Sequence, residues 1–195
     1  MDISIYQASI PSLCLMLRNL SQILHKAATF AEKERMSPES LLERRLAPDM
    51  FPLSRQVEII VSGARGCAAR LAGRIDPNDE SPEFAVFNRG AEQSFGERLT
   101  SFAALQTLIQ EALGYLETLS REEIDDAPER PVSVAKPGEV RVFDNPRSFV
   151  LQCVLPNLYF HVTVVYALLR SAGVALGKQD FEGAPAYQVM NRRSQ

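Results

Sequence analysis

In the stretch LPNLYFHVTVVYALLR, residues 155–170, Asn157 and His161 stand one helical turn apart among apolar and aromatic side chains. A carboxamide and an imidazole at this spacing share one face of a helix. They could line a pocket, with the imidazole serving as a metal ligand or a general base. They could instead be core groups that bond each other, the carbonyls freed by Pro156, or a buried water. Some partner is required either way, because an unsatisfied buried donor or acceptor costs about 1 to 3 kcal/mol. Val154, Asn157, His161, Val164, Val165 and Leu168 fall on one face, and Tyr159, Thr163, Tyr166 and Arg170 on another. His161 is therefore expected to point into the core.

Other chemistries find little material. Walker A, HExxH, CxxC and G-x-S-x-G motifs are absent from the sequence. The segment GARG, residues 63–66, lies inside a helical pattern with no preceding strand, so close helix packing explains its glycines better than phosphate binding. Cys153 precedes His161 on the same helix by eight residues, about 12 Å along the axis, which excludes a direct nucleophile–base pair. Cys14, Cys67 and Cys153 are odd in number and widely spaced among apolar neighbours. That usage argues against a disulfide framework and for a reducing cytoplasm. A formal charge of −3 and the lack of a long basic block argue against nucleic acid as a partner. The N-terminus lacks the basic start and continuous apolar run of a signal peptide. Nor is any segment expected to reach the uninterrupted length that spans a membrane.

The elements that would position the pair are mostly helical. Leu13, Leu17, Leu20, Leu24, Ala28 and Ala31 recur at helical spacing between Ile10 and Glu34, with Arg18, Gln22, His25 and Glu32 mostly opposite. Ser37 and Pro38 open a short helix, and Pro48 and Pro52 mark a loop before the next. That next helix carries Leu53, Val57, Ile60, Ala64, Cys67 and Leu71 and ends near Gly73. A third helix carries Phe102, Leu105, Ile109, Leu113, Leu116 and Leu119. PVSV and EVRVF, around Lys136-Pro137-Gly138, suit a small hairpin. The last helix spans Pro146 to Ala172, with a kink at Pro156 and Gly173 as its terminator. Four long helices and one hairpin predict an all-α bundle in a single domain, residues 1–195, with 184–195 as a tail. Between the second and third long helices lies a 74–98 connection without a period. Its Phe84, Phe87 and Phe95 predict that it docks on the bundle or on a neighbouring subunit.

The segments RLAPDMFPLSRQVEI, VLPNLYFHVTVVYALLRSAGV and LGKQDFEG resemble a domain-of-unknown-function family of the DinB/YfiT-like four-helix-bundle superfamily, over nearly the whole chain to Gly183. The resemblance implies a DinB-like four-helix bundle with a small β-hairpin before the last long helix, assembled as a homodimer. Many members of that superfamily hold a divalent metal on three histidines, one on the second helix and two on the last, and some use it in thiol transfer or hydrolysis. Against that pattern His161 matches the second position of the last-helix pair, Asn157 the first, and Gln56 the second-helix position. Neutral amides are poor replacements for imidazole on zinc or nickel, so His161 alone is a weak metal candidate. His25 is expected to face solvent, Glu58 to point away from the apolar stripe, and Asp49 to begin a turn. The expectation is a cytoplasmic homodimer without a metal cofactor, its pocket floored by Gln56, Asn157 and His161 and open to a small molecule. The alternative is a zinc- or nickel-dependent thiol transferase or hydrolase of the DinB type.

Overall fold

The computed structural model describes residues 3–87, 90–127, 130–136 and 138–188. Helix α1 spans Ile5–Lys33, α2 Pro38–Leu42, α3 Leu53–Leu71, α4 Phe102–Glu117 and α5 Arg121–Asp125. Strands β1 (Val132–Lys136) and β2 (Glu139–Phe143) follow, then α6 (Pro146–Phe149), a π-helical turn (Val150–Val154), α7 (Leu155–Ser171) and α8 (Lys178–Glu182). The fold is the expected DinB-like bundle with a hairpin. Helix α3 packs against α7 and α4, and α1 packs against α4 and α7. Leu13, Leu17, Leu24, Leu53, Ile60, Leu105, Phe149, Val154 and Leu158 join one apolar core.

Helix α1 begins at Ile5 rather than at Ile10. Ser4 Oγ accepts from the Gln7 amide while Gln7 Oε1 accepts from the Ser4 amide, a reciprocal cap that starts the helix upstream of Pro11. The acidic segment after α4 forms a short helix, α5, with Ser120 Oγ accepting from the Glu123 amide. Gly173 takes the left-handed conformation that ends α7, at φ +101°.

The strain of Pro156 is relieved upstream of the proline itself. Leu155 donates to the Val150 carbonyl, five residues back, so the helix widens by one residue immediately before Pro156. The helical run Pro146–Ser171 is 26 residues long and, contrary to expectation, apolar enough by length and composition to cross a membrane. Its inner face, with Val150, Val154, Leu158, Val162, Val165 and Leu169, is buried against the other helices. That is also how the central helix of a bundle reads.

In the hairpin, Val132 pairs with Phe143 and Val134 with Arg141. Val132 and Val134 face inward, while Val140 and Val142 are exposed. Pro137 of the expected turn and residues 189–195 of the tail lie outside the described residues.

The 74–98 connection docks on the bundle. Two short 3-10 turns, Pro82–Phe84 and Glu92–Ser94, punctuate it, and Val86, Phe87 and Phe95 are buried. Two buried arginines of α3 hold it. Arg70 donates to the Asp79, Phe84 and Ser133 carbonyls at 2.8, 2.8 and 3.0 Å. Arg55 donates to the Gly96 carbonyl and to the Glu58 and Glu92 carboxylates, and its guanidinium lies 4.6 Å from the centre of the Phe95 ring. The glycines of GARG receive this connection rather than another helix. A Cβ on Gly66 would collide with the Phe84 carbonyl oxygen, and one on Gly63 would stand 2.5 Å from Phe87 Cδ1.

Candidate functional site: a capped imidazole–carboxamide pair

His161 is carried by α7 and Gln56 by the first turn of α3, two helices in direct contact. Both side chains are buried, at 9% and 2% exposure. His161 Nδ1 lies 2.7 Å from Gln56 Oε1. Gln56 Nε2 donates to the Phe51 carbonyl at 3.1 Å, in the loop that leads into α3. That second bond fixes the carboxamide with its oxygen towards the imidazole, so Nδ1 carries a proton and donates to it.

Burial lowers the His161 pKa to about 4, and a backbone hydrogen bond with Phe87 opposes the shift. The imidazole is neutral near pH 7 in consequence. The Phe87 ring lies nearly parallel to it, 8° between planes with centroids 6.1 Å apart, and Phe160 meets it edge-on at 5.1 Å.

Asn157 goes elsewhere. It is half-buried, and its Nδ2 donates to the Cys153 carbonyl at 2.7 Å, in the widened turn before Pro156. The structure shows it bonded to a carbonyl of its own helix and not to His161. The three residues expected to floor one pocket thus divide into a bonded pair, Gln56 with His161, and a separate local contact. His25 and Asp49 are exposed, and Glu58 accepts from Arg55 at 2.9 Å on the side of α3 that faces the loop.

Two carboxamides and one imidazole do not fit a divalent metal. Gln56 Oε1 already faces the imidazole, and the Asn157 side chain is held by the Cys153 carbonyl of its own helix rather than beside the pair. Among the described residues, no three His, Cys, Asp or Glu side chains are grouped so as to hold a metal ion.

Phe87, Gly63, Arg55 and Arg70 escaped recognition as parts of this site. Phe87 was legible as an apolar anchor, but nothing in its spacing shows that it reaches an imidazole on another helix. Gly63 and Gly66 gave the visible signal, two gaps on one helix that something must fill.

The domain of unknown function DUF1993 matches residues 5–182. The chain belongs to the DUF1993 family. A crystal structure of a DinB family member from Shewanella denitrificans is similar to it at 32% sequence identity, with a TM-score of 0.73 and 95% of each chain covered. No curated protein matches it. The similarity to a DinB family member over almost the full length places this DUF1993 chain among DinB-like bundles, as its segments resembling that superfamily imply.

Three cavities lined by described residues lie away from the imidazole. One of them, about 570 Å³, opens between α3, α4 and the connection, beside Glu58, Arg65, Glu83 and Glu111. Arg65 there is paired with Glu83 and lies over the Phe84 and Tyr115 rings. Gln56, Asn157 and His161 line none of the three.

Proposed function

We propose that this DUF1993 chain is a small-ligand-binding DinB-like bundle that works without a metal, as a homodimer in the cytoplasm. The observation that carries the reading is the 2.7 Å contact between His161 and Gln56. It orients a neutral imidazole beside a fixed carboxamide, which suits hydrogen-bond recognition of an uncharged polar group. The same contact spends the group that would otherwise be nearest to a second metal ligand.

Support for association comes from the outer side of the last helix. Leu151 and Phe160 are 52% and 54% exposed, and Tyr159 lies beside Phe160, an apolar surface of the kind that meets a second subunit. Support for a reducing compartment comes from Cys14, Cys67 and Cys153, which are free thiols, and burial raises the pKa of each.

Elemental analysis of protein purified without a histidine tag tests the metal half of the proposal. Substoichiometric zinc, nickel and iron, unchanged in His161→Ala, is the expected result. Near-stoichiometric metal that disappears in His161→Ala would establish the metal-dependent thiol transferase or hydrolase instead. Sedimentation at micromolar concentration tests the dimer, which Phe160→Glu should weaken.

A further inference from the structure

Phe87 is held in an unusual way for a core aromatic. Its backbone sits in the left-handed region at φ +51°, where residues with a Cβ are strained. Its ring fits against α3 only because residue 63 is glycine. The connection is fastened on both sides of it, by Arg70 at Asp79 and Phe84 and by Arg55 at Glu92 and Gly96. To His161 the residue offers two things at once, an aromatic face and a backbone hydrogen bond.

We propose that Phe87 is a removable plug, and that the seat it fills between Gly63 and His161 is a binding site for a planar aromatic molecule bearing an amide-like polar group. This rests on the reading of the Gln56–His161 pair as the floor of a ligand site. The ligand replaces what it displaces: its ring takes the slot against Gly63 and the imidazole, and its polar group takes the hydrogen bond that Phe87 gives up. Leaving the seat also lets residue 87 abandon its left-handed backbone, which partly offsets the loss of its burial. The free protein is mostly plugged, so apparent affinity is reduced by the small open fraction.

Benzamide is the probe, with benzene and acetamide as controls, and binding is followed by calorimetry and by the His161 imidazole resonances. Phe87→Ala removes the plug. The methyl of Gly63→Ala fills the slot that the ligand's ring needs, so adding it to Phe87→Ala should block binding. Phe87→Ala alone, if folded with native helical content, should bind benzamide roughly tenfold or more tightly than wild type and shift the His161 resonances. Adding Gln56→Ala to Phe87→Ala should abolish the gain. Tight benzamide binding by wild type, unchanged in Phe87→Ala but lost in Gln56→Ala, would overturn the plug and leave the ligand floor standing. Failure of folded Phe87→Ala to bind benzamide would overturn both. Equal binding of benzene and benzamide in Phe87→Ala would show an apolar hole left by the deletion and overturn the proposed ligand class.

Discussion

Phe87 and His161 lie with ring planes 8° apart, one on the 74–98 connection and one on α7, so a residue from an aperiodic loop roofs the buried imidazole. The roof keeps water from the ring, and dehydration is the main reason that the His161 pKa falls to about 4.

This has a consequence for stability against pH. The unfolded chain protonates His161 below about pH 6.5, whereas the native ring stays neutral until about pH 4. Stability present above pH 6.5 is therefore lost as pH falls through that window, by about 2 kcal/mol at pH 5 from this one group. Urea denaturation of wild type and His161→Gln at pH 7 and pH 5 checks it. The variant should show a pH dependence smaller by that amount; equal pH dependence would mean that the imidazole is solvated or paired with a charge.

Coupling follows the hydrogen bonds rather than the helical spacing. Asn157 and His161 share a face of α7, yet their polar groups go to Cys153 and Gln56. A double-mutant cycle of Gln56→Ala with His161→Ala should give a coupling of about 1 to 2 kcal/mol. The cycle of Asn157→Ala with His161→Ala should stay below about 0.5 kcal/mol. A reversed order would put Asn157 back beside the imidazole.

The helices were legible because their apolar residues repeat at 3.6, and that period needs no knowledge of partners. Leu53, Val57, Ile60, Ala64, Cys67 and Leu71 were read as one buried stripe, and all are buried. His161 was placed in the core by the same periodicity. What could not be read was the route of the connection, since residues 74–98 carry no period and their contacts are long-range. The apolar period shows α1 only from Ile10, whereas the Ser4–Gln7 cap starts it at Ile5 and lets it run through Pro11. No period marks Arg55 and Arg70 as buried, because the carbonyls that hold them come from the loop.

Arg70 is the residue whose loss should release the connection. It is 5% exposed and donates to the carbonyls of Asp79, Phe84, Ser133 and Gly66, so a truncation strands several buried acceptors. Arg70→Met should cost about 3 kcal/mol or more, even though it removes a buried charge whose pKa burial already lowers. Hydrogen exchange should rise in residues 79–87 and in β1, and not in α1. A uniform rise across the bundle would mean that Arg70 supports the core rather than the loop.

Two glycine-to-alanine substitutions in helices should change stability in opposite directions. Helix propensity alone favours alanine over glycine by about 0.5 to 1 kcal/mol at an interior position. At Gly114 on α4 an added Cβ meets nothing within 4 Å, so Gly114→Ala should stabilise by up to about 1 kcal/mol. At Gly66 on α3 the Cβ would run into the carbonyl group of Phe84. That obstacle is backbone, and Arg70 holds the same oxygen at 2.8 Å, so it cannot swing aside as a side chain would. The collision outweighs the propensity, and Gly66→Ala should destabilise by about 1 to 3 kcal/mol. It should also expose residues 80–87 to limited proteolysis before global unfolding, because the loop is pushed from its seat while α3 stays helical. Stabilisation by both substitutions would show that the connection does not rest on α3 in solution.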